Sequence, residues 1–129
     1  MRFEWDDKNS EIGHYELILY DDDGKKLEDM WIRDYTNPWV REHDAWCRIS
    51  RDCDFEVGYC NGFSMHHKFN KFEPDKFADF GLSNTTLDGV KKWCERYLAG
   101  LYIKAYKDAA ATIEVKKRRY DWFVENGFS

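Results

Sequence analysis

Two different periods divide this 129-residue chain, and that division fixes its fold class. Up to residue 69 apolar residues alternate with polar ones and the alternation is punctuated by hairpin dipeptides; from residue 85 they recur every three to four positions. Arg2 to Asp6 sets Phe3 and Trp5 on one side and Arg2, Glu4 and Asp6 on the other, which predicts a half-buried strand. Gly13 to Tyr20 and Leu27 to Arg33 flank Asp23-Gly24, and Cys53 to Cys60 and Phe63 to Phe69 flank Asn61-Gly62. Both dipeptides supply the positive φ of tight hairpin turns, so two hairpins are expected, with a bulge at Gly58. Strands followed by helices argue for an α+β fold: an antiparallel sheet of four or five strands packed against C-terminal helices. One domain, 1–129, is expected, mainly β over 1–69 and mainly helical over 85–126.

The helical signals are equally local. Within Tyr35 to Ser50, Asn37-Pro38 reads as an N-cap and first helical residue ahead of Trp39, His43 and Trp46. Asn70 to Asn84 reads as a loop, with room for one helical turn over Asp75 to Phe80. Thr85 or Thr86 caps a helix, with Asp88 placed to complete a capping box from Thr85, and its Leu87, Val90, Cys94, Tyr97, Leu98, Leu101 and Ala105 share a face that would pack on the sheet. A second stretch, Ala109 to Asn126, gathers Ala109, Ile113, Tyr120, Phe123 and Val124, and Asn126-Gly127-Phe128 reads as a glycine C-cap with a hydrophobic clasp. The two apolar faces differ by roughly a quarter turn at the 3.6-residue period, so a bend near Asp108 is expected.

Composition excludes several classes. With 20 basic and 25 acidic residues the formal charge is −5, which is not that of a histone-like nucleic-acid coat. The charge is polarised: residues 1–60 sum to −8 and residues 61–129 to +3. The 6 Trp, 8 Tyr and 9 Phe exceed what a core of this size needs once aliphatics are counted, which points equally to an interface or base-stacking platform and to a small core built from aromatics. No apolar run has the length of a signal peptide or a bilayer span, so a cytoplasmic protein is expected, with Cys47, Cys53, Cys60 and Cys94 as free thiols. No stretch resembles a known family's signature.

Candidate chemistry is sparse. His43, His66 and His67 with Cys47, Cys53 and Cys60 are zinc-ligand types, but they lack the short paired-cysteine grip of structural zinc sites. A Cys–His pair would suit acyl transfer, yet no nucleophile elbow, phosphate loop or zinc helix accompanies it. Asp21, Asp22 and Asp23 are hard-cation donors, but the twelfth position from Asp21 is Ile32, where a calcium loop needs a bidentate carboxylate. No catalytic residue, cofactor or metal is therefore expected.

What remains is surface. Val115, Arg118 and Trp122 form a small outer stripe at helical spacing that would seat in a partner's groove. Asp21 to Asp23, with Asp6, Asp7, Glu28 and Asp29, form an acidic patch suited to a basic partner. Lys92, Arg96, Lys107, Lys117, Arg118 and Arg119 form a basic helical wall for the competing reading, nucleic-acid contact. The expectation is a small non-enzymatic protein-binding module, an inhibitor or regulatory subunit docking on a larger protein or nucleoprotein complex. Phages and mobile elements use anti-defence inhibitors of this size and composition. Nucleic-acid binding and a metal- or thiol-dependent enzyme are the alternatives, and two apolar helical faces also suit a homodimer.

Overall fold

The computed structural model describes residues 1–43, 53–61, 63–70 and 85–128, with the side chains of residues 60–66 left aside. Five strands lie in chain order in one antiparallel sheet: β1 (Arg2–Asp6), β2 (His14–Tyr20), β3 (Lys26–Asp34), β4 (Phe55–Asn61) and β5 (Phe63–Phe69). Two helices accompany them among the described residues, α1 (Pro38–His43) and α2 (Leu87–Glu125). The fold is α+β, with the five-stranded sheet and both expected hairpins in place.

Alternation sorts the strands into two faces. The register aligns Leu17 with Met30 and Met30 with Tyr59, and Tyr15 with Ile32 and Ile32 with Val57. Leu17, Met30, Ile32, Val57 and Phe69 are all within 2% of complete burial, each stabilising the sheet by about 1.5–3 kcal/mol. Glu28 belongs to this covered face too, and its carboxylate accepts the Tyr59 hydroxyl at 2.8 Å. The opposite face carries His14, Glu16, Ile18, Tyr20, Trp31, Arg33 and Glu56, all half-buried.

The first turns of α2 cover the buried face. Val90 and Cys94 are fully buried, the Trp93 ring stacks on His67 and meets Phe69 edge-on, and Trp5 Nε1 donates to Glu95 at 3.2 Å. Lys91 lies 4.9 Å from the Tyr15 ring and 5.2 Å from the Trp5 ring, with its ammonium 3.4 Å from Asp7. At one end of the sheet, Tyr35, Val40 and Cys53 form a small buried cluster that seats α1. Asn37 Oδ1 accepts the Trp39 and Val40 amides at 2.9 and 3.4 Å, so Asn37-Pro38 caps α1 as the sequence predicts. Trp46, Cys47, the rest of the Tyr35–Ser50 stretch beyond residue 43 and the Asp75–Phe80 turn lie outside the described residues.

Three expectations are corrected and one choice is decided. Gly58 is not a bulge: β4 keeps register through the Trp31–Gly58 pair, and the glycine makes room for the indole. A Cβ at Gly58 would stand 2.1 Å from Trp31 Cε2. Of the two threonines that could cap α2 it is Thr86 that does, its Oγ1 accepting the Gly89 amide at 3.0 Å, so the capping box from Thr85 does not form. Asp88 then falls at the second helical position, and Thr85 is buried with no partner for its Oγ1 among the described residues. The two helical stretches are not separate helices, since Leu87–Glu125 is one helix of 39 residues with no interruption at Asp108. Ala109, Ala110 and Ala111 are strong helix formers at the expected break, and Lys104 holds Asp108 at 2.7 Å. Finally, of the α2 face expected on the sheet, Val90, Cys94 and Leu98 are fully buried, Leu87, Tyr97 and Leu101 are half-buried, and Ala105 is exposed.

Candidate interaction surface

The described chain falls into two compact units, Met1–Arg96 and Tyr97–Ser129. The second consists mainly of the later part of α2, and its local interactions explain why it is helical. Lys104–Asp108 and Lys117–Asp121 are ion pairs four residues apart, and Thr112 Oγ1 donates to the Asp108 carbonyl at 2.9 Å. At its end Gly127, at φ 88°, donates to the Val124 carbonyl, and the Phe128 amide reaches back to the Phe123 carbonyl. This is the Schellman arrangement, and the Phe123 and Phe128 rings close it edge-to-face at 5.7 Å. The sequence-predicted cap and clasp are therefore both present.

From Tyr102 onward this unit leaves its large apolar side chains in solvent. Tyr106 is 75% exposed, Tyr120 67%, Ile113 66%, Trp122 57% and Phe123 52%. Val115, Arg118 and Trp122 lie on one side of the helix by their spacing, with Val115 half-buried and the other two exposed. Trp122 also stands edge-on to Phe123, 5.1 Å between centroids, so its indole is held by the C-cap cluster. Ala109, Ile113, Tyr120, Phe123 and Val124, grouped by the sequence pattern, are exposed as well.

The acidic patch is only partly available. Asp21 is spent on the β2–β3 turn: its Oδ1 accepts the Asp23 and Lys25 amides at 2.9 and 2.8 Å, and Gly24 takes φ 81°. Asp22 meets the Met1 amino group, which holds its carboxyl below the ordinary carboxylate value, and Asp23 projects freely into solvent at this turn. Asp29 is paired with Lys26 at 2.6 Å. Glu28, expected in the patch, is buried and is removed from it. Asp6 and Asp7, with Glu4, Lys8, Ile18 and Tyr20, line a recess of about 580 Å³ beside β1.

The basic wall is interrupted by carboxylates. Lys92 and Arg96 belong to the first unit, and Lys107, Lys117, Arg118 and Arg119 to the second. Lys117 is 3.7 Å from Asp121, and Glu114 lies four residues before Arg118. By unit the charge sums to −7 over residues 1–96 and +2 over residues 97–129, so the polarity seen along the chain follows the two units.

The metal-ligand types are engaged elsewhere. His43 stacks on Trp39 at 4.6 Å, His67 stacks on Trp93 at 4.9 Å, and Cys53 is buried. Among the described residues no three His, Cys, Asp or Glu gather for a metal ion. Burial pushes the Cys94 thiol up to about 12, with the Glu95 charge acting in the same direction, so it is a poor nucleophile. No described helix is long and apolar enough to cross a membrane.

Sequence reasoning missed one cluster. His14, Trp31, Arg33, Tyr35 and Glu56 line a recess of about 260 Å³ on the open sheet face, where the Tyr35 hydroxyl is 3.4 Å from Glu56. Its volume is below the roughly 300–1,000 Å³ of small-molecule sites. These residues come from β2, β3, β4 and the segment before α1, and only the strand register brings them together. No protein-family model, curated protein or solved structure matches this chain.

Proposed function

We propose that this protein is a non-enzymatic binding module, an inhibitor or regulatory subunit, whose docking element is the outer stripe Val115, Arg118 and Trp122 of α2. The observation that carries the reading is the 57% exposure of Trp122 on a helix whose C-terminal cap locks its neighbour Phe123. Trp and Arg are among the residue types most enriched at binding hot spots, and here both are exposed on one side of the helix. Asp22 and Asp23 fit the role of steering a basic partner, and the free thiols of Cys53 and Cys94, the two cysteines whose side chains are described, fit a cytoplasmic setting. The alternating carboxylates along the basic wall weigh against duplex contact, because each lowers the net phosphate neutralisation.

The test is affinity capture of the tagged chain from native extract, with and without nuclease, using wild type, Trp122→Ala and Arg118→Glu. The expected result is a stoichiometric protein that survives nuclease and is lost with either substitution while the thermal midpoint stays within about 2 °C of wild type. Material that disappears with nuclease would move the assignment to the basic wall, and a large fall in the midpoint with Trp122→Ala would make that residue part of the fold.

A further inference from the structure

The side of α2 opposite the Val115–Trp122 stripe carries a second, longer pattern. Within the second unit, Tyr102, Tyr106, Ala109, Ile113, Lys116, Tyr120 and Phe123 succeed one another at intervals of 4, 3, 4, 3, 4 and 3 residues. That is the 3.5-residue repeat of a coiled-coil seam, with Tyr106, Ile113 and Tyr120 at a positions and Tyr102, Ala109, Lys116 and Phe123 at d positions. A surface that merely faced a sheet would follow the broader 3.6-residue stripe. A 3.5-residue seam fits another helix of the same period, and α2 itself supplies one.

We infer that this seam pairs with the same seam of a second copy of the chain, as an antiparallel two-helix coiled coil. The exposed area has the size such an interface needs. Tyr102, Tyr106, Ile113, Tyr120, Phe123 and Val124 are 38–75% exposed. At the usual area of these side chains that is about 700 Å² per copy, or about 1,400 Å² in the pair, inside the roughly 1,200–2,000 Å² of specific interfaces. Charge and volume select the orientation. A parallel pair sets Lys116 against Lys116 in the seam and brings the two Lys116–Arg119 runs level with each other. The antiparallel pair, centred between Glu114 and Val115, sets Lys116 against Ile113 and moves each basic run beside the neutral stretch Ala110–Ile113. It also matches small residues with large ones, Ala109 with Tyr120 and Tyr102 with Gly127. The outer stripe is left free, so this association and the proposed docking surface are separate uses of one helix.

The experiment measures the mass of the full chain by sedimentation across a concentration series, with Ile113→Glu, Lys116→Leu and Trp122→Ala beside wild type. Wild type is expected to reach twice 15.6 kDa, Trp122→Ala to do the same, Ile113→Glu to stay at 15.6 kDa, and Lys116→Leu to dimerise at lower concentration. Near-ultraviolet circular dichroism of Ile113→Glu should keep the wild-type signal of the sheet aromatics, which separates loss of pairing from loss of fold. A chain carrying both Tyr106→Cys and Phe123→Cys fixes the orientation under mild oxidation: 106-to-123 links between copies support it, and 106-to-106 links overturn it. A wild-type mass of 15.6 kDa at every concentration, a mass above the dimer, or a dimer unaffected by Ile113→Glu would also overturn the inference. None of these results bears on whether Trp122 captures a partner.

Discussion

Gly58 shows how one residue can carry a structural demand that its neighbours do not reveal. The sequence marks it only as a glycine inside a strand, a pattern shared by bulges and by close approaches. The Trp31 indole lies where a Cβ would be, so Gly58→Ala must displace the ring or bend the strand. Overpacking of this kind costs about 1–3 kcal/mol, and chemical denaturation should show that loss for Gly58→Ala. The loss should shrink when Trp31→Ala is present in the same chain, because the obstacle is then gone. Cys94 yields a prediction in pH. Its folded pKa of about 12 is above its ordinary value of 9.0, so between those values the folded chain keeps a proton that the unfolded chain has released. This contribution is complete below about pH 9 and declines by about 1.4 kcal/mol per pH unit toward pH 12. Urea midpoints at about pH 8, 10 and 11 should fall more steeply for wild type than for Cys94→Ala; parallel slopes would show that the thiol ionises freely in the folded protein.

At the scale of elements, signals spanning a few residues were the most legible. Asn37-Pro38, the Asp23-Gly24 turn and the Asn126-Gly127-Phe128 clasp each involve neighbours, and each is found where the sequence puts it. The start of α2 is legible only as a choice, since Thr85 and Thr86 are both good caps and which one serves depends on which one the core buries. Burial of Thr85 leaves Thr86 to cap the helix. The two threonines should therefore respond oppositely to substitution. Thr86→Ala should lower stability by about 1 kcal/mol through loss of the cap. Thr85→Val, which removes a buried hydroxyl and keeps the shape, should leave the melting temperature unchanged or raise it. Equal losses at both positions would mean that Thr85 Oγ1 has a partner.

For the whole molecule, the consequential feature is that one helix has two roles. Its first turns close the sheet, and its later turns expose Tyr106, Ile113, Tyr120 and Trp122. An apolar surface of several hundred Å² is larger than monomeric proteins usually leave open, which is why both proposals centre there. They divide the helix by face: Trp122→Ala should abolish partner capture without changing the mass, and Ile113→Glu should abolish dimerisation without removing Trp122 from solvent. The candidate surface was legible in part. Val115, Arg118 and Trp122 followed from helical spacing alone, whereas Glu28 was misplaced in the acidic patch because strand alternation does not say which face is covered.

The sequence by itself determined the α+β class, the five strands and their hairpin order, the cap of α1 and the end of α2. These rest on periods and on contacts between residues close in the chain, which physical propensity fixes locally. Only the tertiary structure decided which sheet face is buried, why β4 has a glycine beneath Trp31, where α2 begins, and that it continues unbroken past Asp108. The first three depend on residues tens of positions apart meeting across the sheet or against its covering turns, which a local period does not record, while the unbroken helix rests on Ala109–Ala111 and the Lys104–Asp108 pair in turns that have no buried face to keep in phase.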